Sequence, residues 1–160
     1  MGAQIKKYGM KKGVHFLSAV LVISALLVGL LVQTPACEQA KSVSCKSLCR
    51  AALKKTGGAE NLKYQSEKAS DFGGFSVSER KKVSSILYAC DDAEVYSICV
   101  VKAASKSDAA EVLKYFKAYK ARNTGSSYLE DYSSAQQDVF KNAVCGRKGK
   151  YAWYLSLIHI

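Results

Sequence analysis

Ser85-Ile86-Leu87-Tyr88-Ala89-Cys90, Asp91-Asp92-Ala93, and Glu94-Val95-Tyr96-Ser97-Ile98-Cys99-Val100-Val101-Lys102 form the stretch that decides the fold. The two outer runs are rich in β-branched and aromatic residues, which suit a pleated, packed surface. The acidic triplet between them has turn chemistry, so the stretch predicts a β-hairpin. Downstream, Ser107-Asp108 marks a helix start, and Ala110, Val112, Leu113, Phe116 and Tyr119 recur at helical spacing. Lys114, Lys117 and Lys120 face away from that stripe, and Gly125 follows Asn123 as a stop. Gln136 to Val144 is a second helix candidate, with Val139, Phe140 and Val144 on one side. Ala143 to Arg147 and Lys150 to Tyr154 then read as a closing strand pair about Lys148-Gly149.

Upstream, Ser42 to Lys55 places Val43, Cys45, Leu48, Cys49, Ala51 and Ala52 among cationic positions, an amphipathic helix ended by Thr56-Gly57-Gly58. Ala59 to Glu79 is polar, carries Gly73-Gly74, and reads as a loop or irregular edge segment. The sum is an α+β, βαβ-containing domain: a small, mainly antiparallel sheet with helices packed on one face.

Before this body lies Val14 to Val32, VHFLSAVLVISALLVGLLV, nineteen residues without a formal charge. A helix of that length spans about 28 Å, close to the hydrocarbon core of a bilayer. Lys6, Lys7, Lys11 and Lys12 precede it with no acidic residue before Glu38. Positive charge on that flank predicts a cytoplasmic N-terminus and export of the rest. An uncleaved single-span anchor is the leading expectation. Cleavage after Ala36 and lipidation of Cys37 are the alternatives, although Thr34-Pro35 replaces the usual residues before a lipidated Cys. The expected organisation is a basic flank over 1–13, the span over 14–32, a linker over 33–41 and the domain over 42–154. Residues 155–160, LSLIHI, match the translation of a sequencing adapter codon for codon and are expected not to be native protein. Codons for LSLIHI in continuous genomic DNA would overturn that reading.

The chain has 160 residues, 24 Lys+Arg and 13 Asp+Glu, a net charge of +11. Four of those charges sit on the N-terminal flank, where they set orientation; the other +7 belongs to the body. The two histidines are His15, at the edge of the apolar segment, and His159, inside LSLIHI. The body between them has none. That argues against Ser-His-Asp or Cys-His catalysis and His-ligated zinc. No phosphate-binding glycine loop occurs, and Asp91-Asp92 and Glu130-Asp131 lack the alternating spacing of a calcium loop. Both acidic pairs read as turn or helix-entry residues.

Six cysteines, 37, 45, 49, 90, 99 and 145, lie on the expected exported side. Disulfides, buried thiols and a metal site all stay open, with no CxxC pair to favour metal. Cys90 and Cys99 sit on adjacent hairpin strands and form a disulfide if the register brings their Cα atoms to about 5.5 Å. A catalytic Cys finds no histidine to activate it. Basic residues cluster at Arg80-Lys81-Lys82, at Lys114/Lys117/Lys120/Arg122 and at Arg147-Lys148-Lys150. Outside a membrane such clusters meet lipid head groups or anionic envelope polymers rather than nucleic acid. Lys114, Lys117, Lys120, Arg147 and Lys148 are therefore the candidate polyanion contacts, beside the plain reading of a solvated helix face.

Val95 to Lys102, Asp108 to Arg122, Tyr128-Leu129-Glu130-Asp131-Tyr132, and Asn142-Ala143-Val144 with Gly149-Lys150-Tyr151 together resemble an uncharacterised Firmicutes family of small envelope proteins. Its members begin with a lipoprotein signal or one transmembrane helix. The resemblance covers most of Ser84 to Tyr154 and implies an envelope location and an α+β domain. The family carries no assigned activity, so it implies no catalytic residue and no cofactor. The expected function is a membrane-anchored, extracytoplasmic, non-enzymatic binding module of the cell envelope, partnered by the membrane and by an anionic polymer or another envelope protein. The competing expectation is an envelope enzyme using carboxylates on a cell-wall polymer.

Overall fold

The computed structural model describes residues 42–56 and 62–157. The apolar segment 14–32, its basic flank, Cys37 and His159 lie outside the described residues. None of the described helices is long and apolar enough to cross a membrane.

Five strands form one antiparallel sheet: β1 (Tyr64–Ser66), β2 (Val83–Cys90), β3 (Ser97–Ala103), β4 (Val144–Lys148) and β5 (Tyr151–Ser156), in the order β1-β2-β3-β5-β4. The helices are α1 (Cys45–Thr56), the single turn α2 (Val77–Arg80), α3 (Lys106–Asn123), α4 (Ser126–Leu129) and α5 (Ser134–Lys141). The hairpin of β2 and β3 forms as the sequence implies, with a connection of 91–96 that is longer than the acidic triplet. Asp91 holds it. The Asp91 N–H donates to the Tyr96 carbonyl at 2.9 Å, and Asp91 Oδ1 accepts from the Tyr96 N–H at 3.0 Å. Because β3 and β4 are both antiparallel to β5, they run parallel to each other. The helical excursion α3–α5 joins them, so the βαβ unit is present with β5 inserted.

The helices do not share one face. α1 packs on one side of the sheet and α3 on the other. The reason is visible in the strands: Ile86 to Cys90 and Ser97 to Val101 are buried at every position, as strands covered on both faces must be. Leu87, Ala89, Ile98, Val100, Trp153 and Leu155 meet Cys45, Leu48, Cys49 and Ala52 of α1. Those α1 positions repeat at three and four residues, one helical stripe. Ile86, Tyr88, Cys99, Val101, Ala152 and Tyr154 meet α3 through Ala109, Val112, Phe116 and Tyr119. The α3 stripe is rotated from the expected one. Ala109 and Asn123 are buried, while Ala110 and Leu113 are only half-buried. Ser105 caps the helix, its Oγ accepting from the Asp108 N–H at 2.9 Å.

The polar segment 59–79 supplies an unexpected part of the core. Phe72 is fully buried, its ring centroid 4.8–5.6 Å from those of Phe75, Tyr88, Phe116 and Tyr119. The close ring of Phe72 leaves no room for a Cβ at Gly74. β5 runs two residues past Tyr154. Leu155 is buried opposite Ile98 and Val144, and Ser156 Oγ donates to the Val95 carbonyl at 2.9 Å. The sheet thus extends beyond the domain boundary expected at 154. A smaller cluster of Val95, Leu129, Val139 and Phe140 closes the end of the domain beneath α4 and α5.

Candidate functional site

α3 lies over β4 and β5, and that packing gathers basic side chains from two separated stretches of chain. On β4, Cys145 faces Tyr154 and Arg147 faces Ala152, both on the α3 side of the sheet. Gly146 and Lys148 alternate to the α1 side, opposite Trp153 and Tyr151. Arg147 therefore joins the helix lysines, and Lys148 does not. The five candidate residues divide four to one.

Lys120 is half-buried and donates from Nζ to the Ala143 carbonyl at 2.7 Å, tying α3 to the start of β4. Lys117 is exposed one turn away. Both ammonium groups act on the half-buried Cys145 thiol, whose acidity is set first by burial, which pushes it up to about 11, and then by their opposing pull. The bond to Ala143 places Lys120 beside β4, and Lys117 follows it one turn back on α3. Arg147 is exposed on the same face, and neither it nor Lys117 has a carboxylate partner among the described residues. Lys114 differs: its Nζ pairs with Glu111 Oε1 at 2.7 Å, which raises the lysine and lowers the carboxyl. Its charge is locally balanced. Lys117, Lys120 and Arg147 are the effective core of the patch.

The other basic clusters serve different purposes. Lys82 lies over the Tyr115 ring at 5.9 Å and Arg122 over Tyr119 at 5.3 Å, both in cation–π geometry. Lys150 Nζ caps the Ala104 carbonyl at 2.9 Å.

The thiols do not pair as the hairpin suggested. The register sets Cys90 opposite Ser97 and Cys99 opposite Tyr88, one diagonal apart. Diagonal partners are about 7–8 Å apart, outside disulfide reach. All five described cysteines are free. Burial pushes Cys49 up to about 12 and raises Cys45, Cys90 and Cys99 as well. Cys45 Sγ sits 3.3 Å from Ser85 Oγ. No three potential ligands among the described residues converge on a metal position.

Of the carboxylates, Asp91 holds the hairpin connection and Asp92 pairs with Lys63. Asp71 accepts from Ser66 Oγ at 2.6 Å, Ser70 Oγ at 2.8 Å and Tyr64 Oη at 2.8 Å. Those hydroxyls hold its carboxyl down at about 2. Asp71 and Glu111 are both displaced toward the ionised form, which suits fixed anions rather than proton donors.

No family model, curated protein or solved structure matches this chain.

Proposed function

We propose that this chain is a membrane-anchored, extracytoplasmic binding module without catalytic activity that contacts an anionic envelope polymer through the α3–β4 face. One observation carries the reading: Lys117 and Lys120 of α3 and Arg147 of β4 share one face, and Lys117 and Arg147 have no carboxylate beside them. Three cations held on packed secondary structure form a surface of fixed charge. A flexible polyanion meets such a surface through several weak, additive contacts, each screened by salt. The anchor and the orientation rest on the uncharged segment 14–32 and the four lysines before it. The absence of histidine between His15 and His159, with Asp71 and Glu111 held ionised, supports binding over catalysis.

The test is binding of labelled poly(glycerol phosphate) to the full chain in neutral detergent, followed by fluorescence anisotropy. Saturable binding that weakens steadily with added salt is expected. Binding indifferent to salt, or none at low salt, sinks the reading. Alkaline carbonate extraction tests the anchor separately: the full chain stays with the membrane, and deletion of 14–32 releases it.

A further inference from the structure

At the far end of α3 a second feature stands apart from the basic face. Thr124, Leu129, Glu130, Gln137 and Lys141 line an open cleft of about 400 Å³ where α3, α4 and α5 meet. Its size falls within the range of small-molecule sites. The frame is well held. Thr124 Oγ1 donates back to the Lys120 carbonyl at 3.0 Å, closing the end of α3. Gln137 Nε2 donates to the carbonyls of Leu129 and Tyr132, each at 3.0 Å, which fixes α5 against α4. Leu129 is buried and gives the cleft an apolar surface.

The charges are the informative part. Lys141 reaches Gln137 Oε1 at 3.3 Å, and Glu130 has no hydrogen-bond or ionic partner among the described residues. A carboxylate and an ammonium line one cleft without pairing with each other. A simple anion entering there meets Glu130, and a simple cation meets Lys141. A neutral apolar molecule strips water from both and returns nothing. A ligand carrying both charges satisfies both.

We infer that this cleft binds a small zwitterion, an α-amino acid or short peptide with free ends, its ammonium on Glu130 and its carboxylate on Lys141. The Gln137 carboxamide, already pinned, keeps Lys141 at the rim, and Leu129 contacts the ligand's aliphatic part. No residue of the α3–β4 basic face takes part, so this site stands or falls independently of the polyanion reading. Both charges are exposed, so each ion pair strengthens binding by only about fivefold and the binding is weak.

The probe is dialanine, titrated against the full chain in neutral detergent while the thermal midpoint is followed. A ligand that binds only the folded state raises the midpoint in proportion to its occupancy. Dialanine is expected to give a saturable rise. N-acetyl-dialanine, which lacks the ammonium, and dialanine amide, which lacks the carboxylate, are each expected to bind about fivefold more weakly, the loss of one exposed ion pair. Glu130→Gln and Lys141→Gln should keep the unliganded midpoint and each bind dialanine about fivefold more weakly, for the same reason. Three consequences overturn the inference: equal shifts from all three peptides, a full response in either variant, or no saturable response in the parent chain.

Discussion

The two faces of the sheet are covered in different ways. On the α1 side a single twelve-residue helix lays thiols and small aliphatic side chains over Leu87, Ile98, Val100 and the indole of Trp153. On the α3 side an eighteen-residue helix shares the cover with Phe72 and Phe75, and the contacts are ring upon ring. The same strands feed both cores, so a substitution on one face reports on that cover with the backbone held constant. The aromatic side is the thicker and more tightly interlocked. It also carries the basic patch and the zwitterion cleft.

The largest effect should come from the aromatic hub. Phe72→Ala removes a fully buried ring in contact with residues of α3, β2 and β5 and should cost about 3–5 kcal/mol by chemical denaturation. Leu48→Ala on α1 should cost less, about 2–3 kcal/mol, because a single helix end can settle into part of the space. Equal losses would erase the contrast between the faces. Next comes Gly146→Ala. An added Cβ meets the Trp153 indole at 2.5 Å, so the indole must move, for a loss of about 1–3 kcal/mol. A neutral outcome would show that the α1 side yields more readily than its packing implies.

Thiol chemistry separates the faces more finely. At pH 8 the described cysteines should resist an aromatic disulfide reagent in the folded protein and react fully once unfolded. Cys145, half-buried at about 11, should be modified before Cys49, buried at about 12. The reverse order would mean that α1 opens more often than the β4 edge. The smallest effect concerns Asp71. Its carboxyl is depressed from 3.8 to about 2, so its contribution is complete above about pH 4 and drains away as the pH falls toward 2. Asp71→Asn should flatten that acid limb by slightly lowering stability at neutral pH, with the difference from the parent chain vanishing as the pH falls toward 2.

Much of this was legible in the sequence and some was not, for physical reasons. The hairpin, α1, α3 and the β4–β5 pair follow from propensity and period. The double cover was missed: helices were expected on one face, because the β-branched and aromatic composition of Ile86 to Cys90 invites only the word strand. Its unbroken apolar run carried the signal of burial on both sides. Phe72 carries no pattern of its own. It is one ring in a polar stretch, and it becomes a core residue only because Tyr88, Phe116 and Tyr119 converge on it from elsewhere. Lys148 looked equivalent to Arg147 until the register with β5 assigned them to opposite faces. The Cys90–Cys99 expectation failed through the same register. Glu130, just past the end of α4, and Lys141, the last residue of α5, are eleven positions apart, and no local spacing rule connects them.

The central claim is that a particular face, rather than net charge alone, contacts polyanion. The α1 face offers the control, since Lys46, Lys54 and Lys55 are also exposed. The decisive measurement compares poly(glycerol phosphate) binding by two charge-matched triple variants of the full chain: Lys117→Glu, Lys120→Glu, Arg147→Glu and Lys46→Glu, Lys54→Glu, Lys55→Glu. The account predicts that the first loses binding and the second retains most of it. Equal losses from the two variants would contradict it.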